Sequence, residues 1–277
     1  MKLAIFYDHV LEASEQRGLS VREVLKRAKS FGYDALECSM ESLSANPELT
    51  REMFDSVGMS VAGVYKYFNL GNDPLDDGPA GLINTAVYYR ADSILVNPGF
   101  VSREVDERAM TRRVGSSQMR NMAYAMKNIV QYAAKWGIEV TMEDLDDAAA
   151  PYASDVQLEW FLQNVPGLKI CFDTGNFMYA DVDEREAFIR LRNNICHLHL
   201  KDRALHGAPG EEPKVSVTGV NMFSAPVGSG ILHIREILEE LKAMGYDGTL
   251  GVEHFGAPDM LGYMEKSAQY VRRIWNS

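Results

Sequence analysis

Short β-branched or aliphatic runs alternate with longer segments of helical period, and they do so eight times along the chain. That rhythm builds a parallel sheet whose strands are joined by crossover helices. The strands are expected at Lys2–Tyr7, Asp34–Glu37, Ser60–Val64, Ser93–Val96, Glu139–Met142, Lys169–Phe172, Ile195–Leu200 and Thr249–Glu253. Between them the apolar spacing changes to three and four. In Val21–Phe31 the residues Val21, Val24, Leu25 and Ala28 form one face, and a long helix is expected over Met110–Trp136. Gly32, Gly58, Gly137 and Gly245 each close a helical segment and precede a strand, where a left-handed cap lets the chain turn back. The phrases FGYDALE at Phe31–Glu37 and MGYDGTLGVE at Met244–Glu253 repeat one helix, glycine, turn and strand in the second and eighth units.

Eight such units over 277 residues, with no break in composition, predict a (β/α)8 barrel in a single domain. An open doubly wound sheet is the alternative. Segment 203–229 is the one long irregular stretch, carrying Gly207, Pro209, Gly210, Pro213 and Gly219. It follows the seventh strand, which places it at the mouth of a barrel, and a lid is expected there. A net charge of -11 argues against nucleic acid, whose phosphates need clustered Lys and Arg. No window approaches the length of a bilayer span, and the apolar stretch before Asp8 is too short for a secretory signal. Cys38, Cys171 and Cys196 lie in or beside apolar runs and read as reduced core residues. Together these features give an expectation of a cytoplasmic protein.

In a barrel, side chains at the C-terminal ends of the strands face the mouth, where active sites are built. Four consecutive strands end in metal-type ligands: Glu143 in VTMED, Asp173 in ICFDTGN, His199 in HLHLKD and Glu253 in LGVEHFG. Each has a plain reading when taken alone. Glu143 opens an acidic loop, with Asp144, Asp146 and Asp147, that reads as solvated surface. Asp173 is placed to cap a helix, His199 or its neighbour His197 to sit in the barrel wall, and Glu253 to pair with a basic side chain. Together, three carboxylates and one imidazole at adjacent strand ends would be like charges converging without compensation, and a divalent cation resolves that conflict.

With HLHLKD, PVGSG and GYDGTLGVE, the chain resembles the xylose isomerase-like barrel superfamily of sugar isomerases and epimerases, including its D-tagatose 3-epimerase and inosose dehydratase branches. The resemblance spans nearly the whole chain. It implies metal ligands of Glu, Asp, His and Glu on strands five to eight, which carry over to Glu143, Asp173, His199 and Glu253. His197 and His199 share a strand face, so the later one lies nearer the mouth, and the resemblance favours His199. One departure concerns Asn176. Ketose epimerases of this kind often place a histidine three residues after the strand-six Asp, whereas asparagine hydrogen-bonds a hydroxyl but does not shuttle protons.

The oxygen-rich ligand set favours Mn²⁺, with Mg²⁺, Co²⁺ or Zn²⁺ as alternatives. The expected chemistry is isomerisation or epimerisation of a ketose or related small sugar. Glu143 and Glu253 would remove and return a proton on opposite faces of a cis-enediolate. A metal-dependent lyase, dehydrating an inosose or keto-sugar or eliminating the β-linked aglycone of a keto-glycoside, shares the first step, and a non-catalytic sugar-binding barrel is the third reading. Lys201 either stabilises an enediolate oxygen or forms a structural ion pair. Other residues expected at the mouth are Asp8, His9, Tyr65, Tyr67, Phe68 and Asn97, the aromatic ones as a wall against a sugar or as core. His254 should face away from its neighbour Glu253. The glycines of Val227–Gly230 suit either a phosphate site or, preferably, an ordinary helix start. The resemblance also brings an expectation of a homo-oligomer.

Overall fold

A computed structural model describes residues 1–277. In its first half, β1 (Lys2–Phe6) leads directly into α1 (Tyr7–Arg17) and α2 (Val21–Phe31), and β2 (Ala35–Ser39) into α3 (Met40–Ser44) and α4 (Pro47–Val57). Then come β3 (Ser60–Tyr67), α5 (Gly78–Tyr89), β4 (Ser93–Asn97), α6 (Glu107–Met110), α7 (Ser117–Ala133) and β5 (Glu139–Met142). The second half runs α8 (Asp155–Asn164), β6 (Lys169–Asp173), α9 (Glu184–Leu191), β7 (Ile195–Leu200), β8 (Asp202–Ala204), β9 (Lys214–Val215) and β10 (Asn221–Ala225). It ends with α10 (Ile234–Ala243), β11 (Thr249–Val252) and α11 (Met260–Asn276). The sheet closes in the order β1-β11-β7-β6-β5-β4-β3-β2, with every pair parallel. These are the eight expected strands, with ends shifted by a few residues.

Strand alternation sorts the side chains into two shells. One parity, including Leu3, Ile5, Ile94, Val96, Leu198 and Leu200, joins the main core together with the inner faces of the helices, such as Val24, Leu25 and Ala28 of α2. The other parity fills the barrel. Low in the barrel it is small, with Ala4, Ala35 and Ala62 in one cluster. Higher up it is polar: Glu37, Ser93, Asn97, Thr141, Asp173, His197 and His199 are all buried. A barrel lined this way concentrates ionisable groups where water is scarce, and that positions the site.

Two expectations are corrected. The helix over Met110–Trp136 is broken: α6 ends at Met110 and α7 starts at Ser117, because Gly115 takes φ 72° and the Ser116 hydroxyl accepts from the Met119 N–H at 3.1 Å. Segment 203–229 is not wholly irregular. Its strands β8, β10 and β9 form an antiparallel sheet in that order, and Met222 is packed against Met110, Ala148 and Tyr179. Strands this short leave too little alternation to be read in a sequence.

Candidate metal centre

The ends of β5, β6, β7 and β11 bring Glu143, Asp173, His199 and Glu253 together, all four buried, with one donor atom from each within 4.8 Å of the others. His199 Nδ1 lies 2.8 Å from Glu143 Oε2 and 3.7 Å from Glu253 Oε2. Asp173 is held rigidly: its Oδ1 accepts the N–H of Gly175 at 2.7 Å and of Asn176 at 2.8 Å. Its Oδ2 is buried with no hydrogen-bond partner in the protein. The Asp173 N–H donates to Asp144 Oδ1 at 3.1 Å, so the buried Asp144, which the sequence placed on a solvated loop, instead positions Asp173.

Electrostatics strain this arrangement when it stands alone. Burial and the charges of Glu253 and Glu143 push the Asp173 carboxyl well above the usual range, against the pull of Lys201. Burial, Asp173 and Glu143 do the same to Asp144. Burial by itself lowers His199, but the Glu143 hydrogen bond and the charges of Glu143, Glu37 and Glu253 outweigh it and raise the imidazole to about 9. Three carboxylates and an imidazole, one of the carboxylates with a free inward oxygen, fit a divalent cation of the hard or borderline class.

Lys201 is buried beside these groups. Its ammonium donates to Glu253 Oε1 and, at 2.9 Å, to Asn176 Oδ1. Burial opposes its charge, yet Glu253, Asp146 and Asp173 hold its pKa above the ordinary lysine value. In return, Lys201 and His199 keep Glu253 below the usual carboxylate range despite its burial. Asn176 also donates from Nδ2 to the Asp144 carbonyl at 2.9 Å, which fixes the direction of its amide. Above this floor opens a cavity of about 530 Å³, with Tyr65, Tyr67 and Asn97 on one side and Phe255 and the β10 residues Phe223 and Ser224 among its other walls.

A family model described as a xylose isomerase-like TIM barrel matches residues 25–274. The chain belongs to this xylose isomerase-like TIM-barrel family. An inosose dehydratase of Geobacillus thermodenitrificans is 30% identical over 112 residues, a stretch that spans 38% of this chain and 37% of that relative. An L-ribulose 3-epimerase structure superposes with a TM-score of 0.71 at 14% identity, covering 100% of this chain and 95% of that one. A xylose isomerase-like TIM barrel protein from Mycobacterium smegmatis in complex with magnesium gives 0.68 at 16%, covering 92% and 87%. At those identities the two structures establish likeness of fold.

Within this xylose isomerase-like barrel the remaining mouth residues separate. Tyr65 lines the cavity, and its hydroxyl donates to Asp8 Oδ2. His9, expected at the mouth, is corrected: α1 begins at Tyr7, immediately after β1, which leaves Asp8 on the cavity and turns His9 into the wall. There it is fully buried, stacks edge-on to Phe255 at 4.6 Å, and its Nε2 accepts the His254 N–H at 2.7 Å. The His254 side chain points outward to Ser267 Oγ at 3.0 Å, and burial lowers its pKa to about 3. The N–H groups of Gly228 and Gly230 are both taken, at 2.9 Å, by Asp202 Oδ2. The structure therefore fills the candidate phosphate position with the chain's own carboxylate.

The sequence reading missed Glu37. Its Oε1 lies 2.6 Å from His197 Nε2, inside the barrel. The two atoms are close but not aligned as a hydrogen bond, and each is among the buried polar atoms that make none. A Cβ at Gly63 would lie 2.4 Å from Glu37 Oε2, so only glycine leaves room for the carboxylate. The available signal was an acid inside the apolar run ALECS. No helix is long and apolar enough to cross a membrane.

Proposed function

We propose that the chain is a sugar-modifying enzyme that uses one divalent cation, Mn²⁺ foremost, to isomerise or epimerise a ketose or related small keto-sugar. The observation that carries this reading is the convergence of Glu143 and Glu253, from strands on either side of β6 and β7, on the same few ångströms as Asp173 and His199. Those four residues would hold a divalent cation, which would supply Lewis-acid stabilisation of negative charge on the substrate oxygens. Glu253 removes the proton next to the substrate carbonyl on one face, and Glu143 returns a solvent-derived proton to the opposite face, the roles exchanging in the reverse reaction. The Lys201 ammonium keeps Glu253 ionised between turnovers and, with Asn176 Oδ1, sets its direction. The β8, β9 and β10 segment closes over the substrate as a lid and excludes water.

A second reading, dehydration of an inosose or keto-sugar, is favoured by Lys201 itself. A buried ammonium next to Glu253 can protonate a departing β-hydroxyl, which leaves as water once a carboxylate has taken the neighbouring proton. The dehydratase relative at 30% identity points the same way. One experiment tests both readings. Magnesium-loaded protein is incubated in D2O with ketoses, keto-glucosides and inosose, and NMR follows deuterium entry next to the carbonyl. Exchange with a new epimer or aldose supports the first reading, and exchange with loss of water supports the second. Absence of exchange with every compound, despite one bound metal per chain, would contradict both.

A further inference from the structure

Asn97 ends β4 on the inward parity and lines the cavity, 1% exposed, yet neither its Oδ1 nor its Nδ2 has a hydrogen-bond partner in the protein. A buried amide with all its capacity unused is costly to keep. Asn176, the other cavity amide, has both ends engaged. Beside Asn97 in the sheet register is Tyr67, whose ring is half exposed and lies parallel to that of Phe100, with centroids 6.2 Å apart. An amide offering one donor and one acceptor next to an aromatic face suits the alternating hydroxyls and C–H faces of a polyol.

The charges of the cavity narrow the ligand further. Its three cations are all engaged: Lys201 by Glu253, and Arg203 and Lys214 by Asp146, both at 2.7 Å. Six carboxylates line the same space, with Glu211 and Glu212 among them. The glycine N–H groups that suited a phosphate are occupied by Asp202.

We propose that Asn97, beside the Tyr67 ring, is the hydroxyl-recognising end of the substrate subsite, and that the site takes an uncharged keto-polyol rather than a phosphorylated one. This deepens the proposed function and rests on it for the word substrate, but binding can be tested without turnover. The probes are D-fructose, 2-keto-myo-inositol and D-fructose 6-phosphate, titrated by ligand-observed NMR into the magnesium-loaded full chain and its Asn97→Leu variant. Asn97 has no internal hydrogen bond to lose, so Asn97→Leu should keep or raise the melting temperature and leave Mn²⁺ uptake unchanged. A neutral probe is expected to bind, at least roughly tenfold more tightly than the phosphate ester, and to lose about tenfold or more in the variant. Equal or tighter binding of the phosphate ester, no binding of either neutral probe, or Asn97→Leu binding like the parent chain would overturn the proposal. Neutral binding that depends on Asn97 but is accompanied by no deuterium exchange would uphold this subsite while contradicting the enediolate chemistry.

Discussion

Two acid–imidazole pairs lie one above the other on β7, and they differ in balance. At the lower of the two levels, His197 meets one carboxylate, Glu37, at 2.6 Å, with Ser93 Oγ 3.4 Å from its other ring nitrogen. Two residues further along, His199 meets Glu143 and Glu253, with Asp173 within the same 4.8 Å. The lower pair sets one acid against one base, although neither of the two facing atoms makes an aligned hydrogen bond. The upper cluster has acid in excess and an inward oxygen without a partner. Similar residues on one strand thus give a packed structural pair in the barrel and, at its mouth, a set whose charge calls for a cation.

The sharpest way to break this contrast is to remove a carboxylate from each level. Glu253→Gln should lower carbonyl-adjacent deuterium exchange by roughly 10³-fold while the melting temperature moves little. A variant that exchanges at the parent rate would mean that Glu253 is not a base. Removal of the cation comes next. At a free metal concentration 100 times its Kd, binding adds about 2.7 kcal/mol, so adding chelator should lower the melting temperature by several degrees in differential scanning calorimetry. Glu37→Gln should act the other way round, costing roughly 1–3 kcal/mol of stability through the altered buried pair while Mn²⁺ uptake stays as in the parent chain. Loss of uptake in that variant would join the two levels into one site.

The smallest effect is a pH dependence confined to the metal-free form. His199 is raised to about 9, above the ordinary imidazole value, so its contribution is fully present below about 6.5 and lost as pH rises through 9. Asp173, also raised, acts in the same sense: its protonated form is favoured in the fold, and stability falls as it is forced to ionise. Metal-free protein should therefore melt at lower temperature at pH 9 than at pH 6.5. The metal-bound protein, whose ligands are already deprotonated, should show a smaller change. Equal slopes for the two forms would place these protons elsewhere.

The barrel itself was legible because each buried strand is a run of apolar residues closed by a turn signal, as in Glu139–Met142 and Ile195–Leu200, whose bounds match the structure. The convergence of Glu143, Asp173, His199 and Glu253 was legible in the strand ends together with the family resemblance, which favoured His199 over His197. What sequence did not disclose depends on contacts between distant elements. The Glu37 and His197 pair joins β2 to β7 across the barrel, and periodicity carries no information about such a meeting. Likewise Asp146 reads as one acid among several, until Arg203 and Lys214 arrive from the segment above it. His9 went astray by a single residue, because an abrupt passage from β1 into α1 decides which of Asp8 and His9 faces the cavity.

The claim on which the rest depends is that the mouth cluster, and not the lower pair, binds a divalent cation. Calorimetric titration of metal-free protein with MnCl2 at neutral pH tests it most directly, run on the parent chain and on Asp173→Asn, whose side-chain oxygen can keep the hydrogen bonds from Gly175 and Asn176. The account predicts one Mn²⁺ per parent chain, with protons released on binding, and uptake weakened by at least roughly tenfold in the variant. Parent protein that takes up no Mn²⁺, or an Asp173→Asn variant that binds it as tightly as the parent, would contradict it.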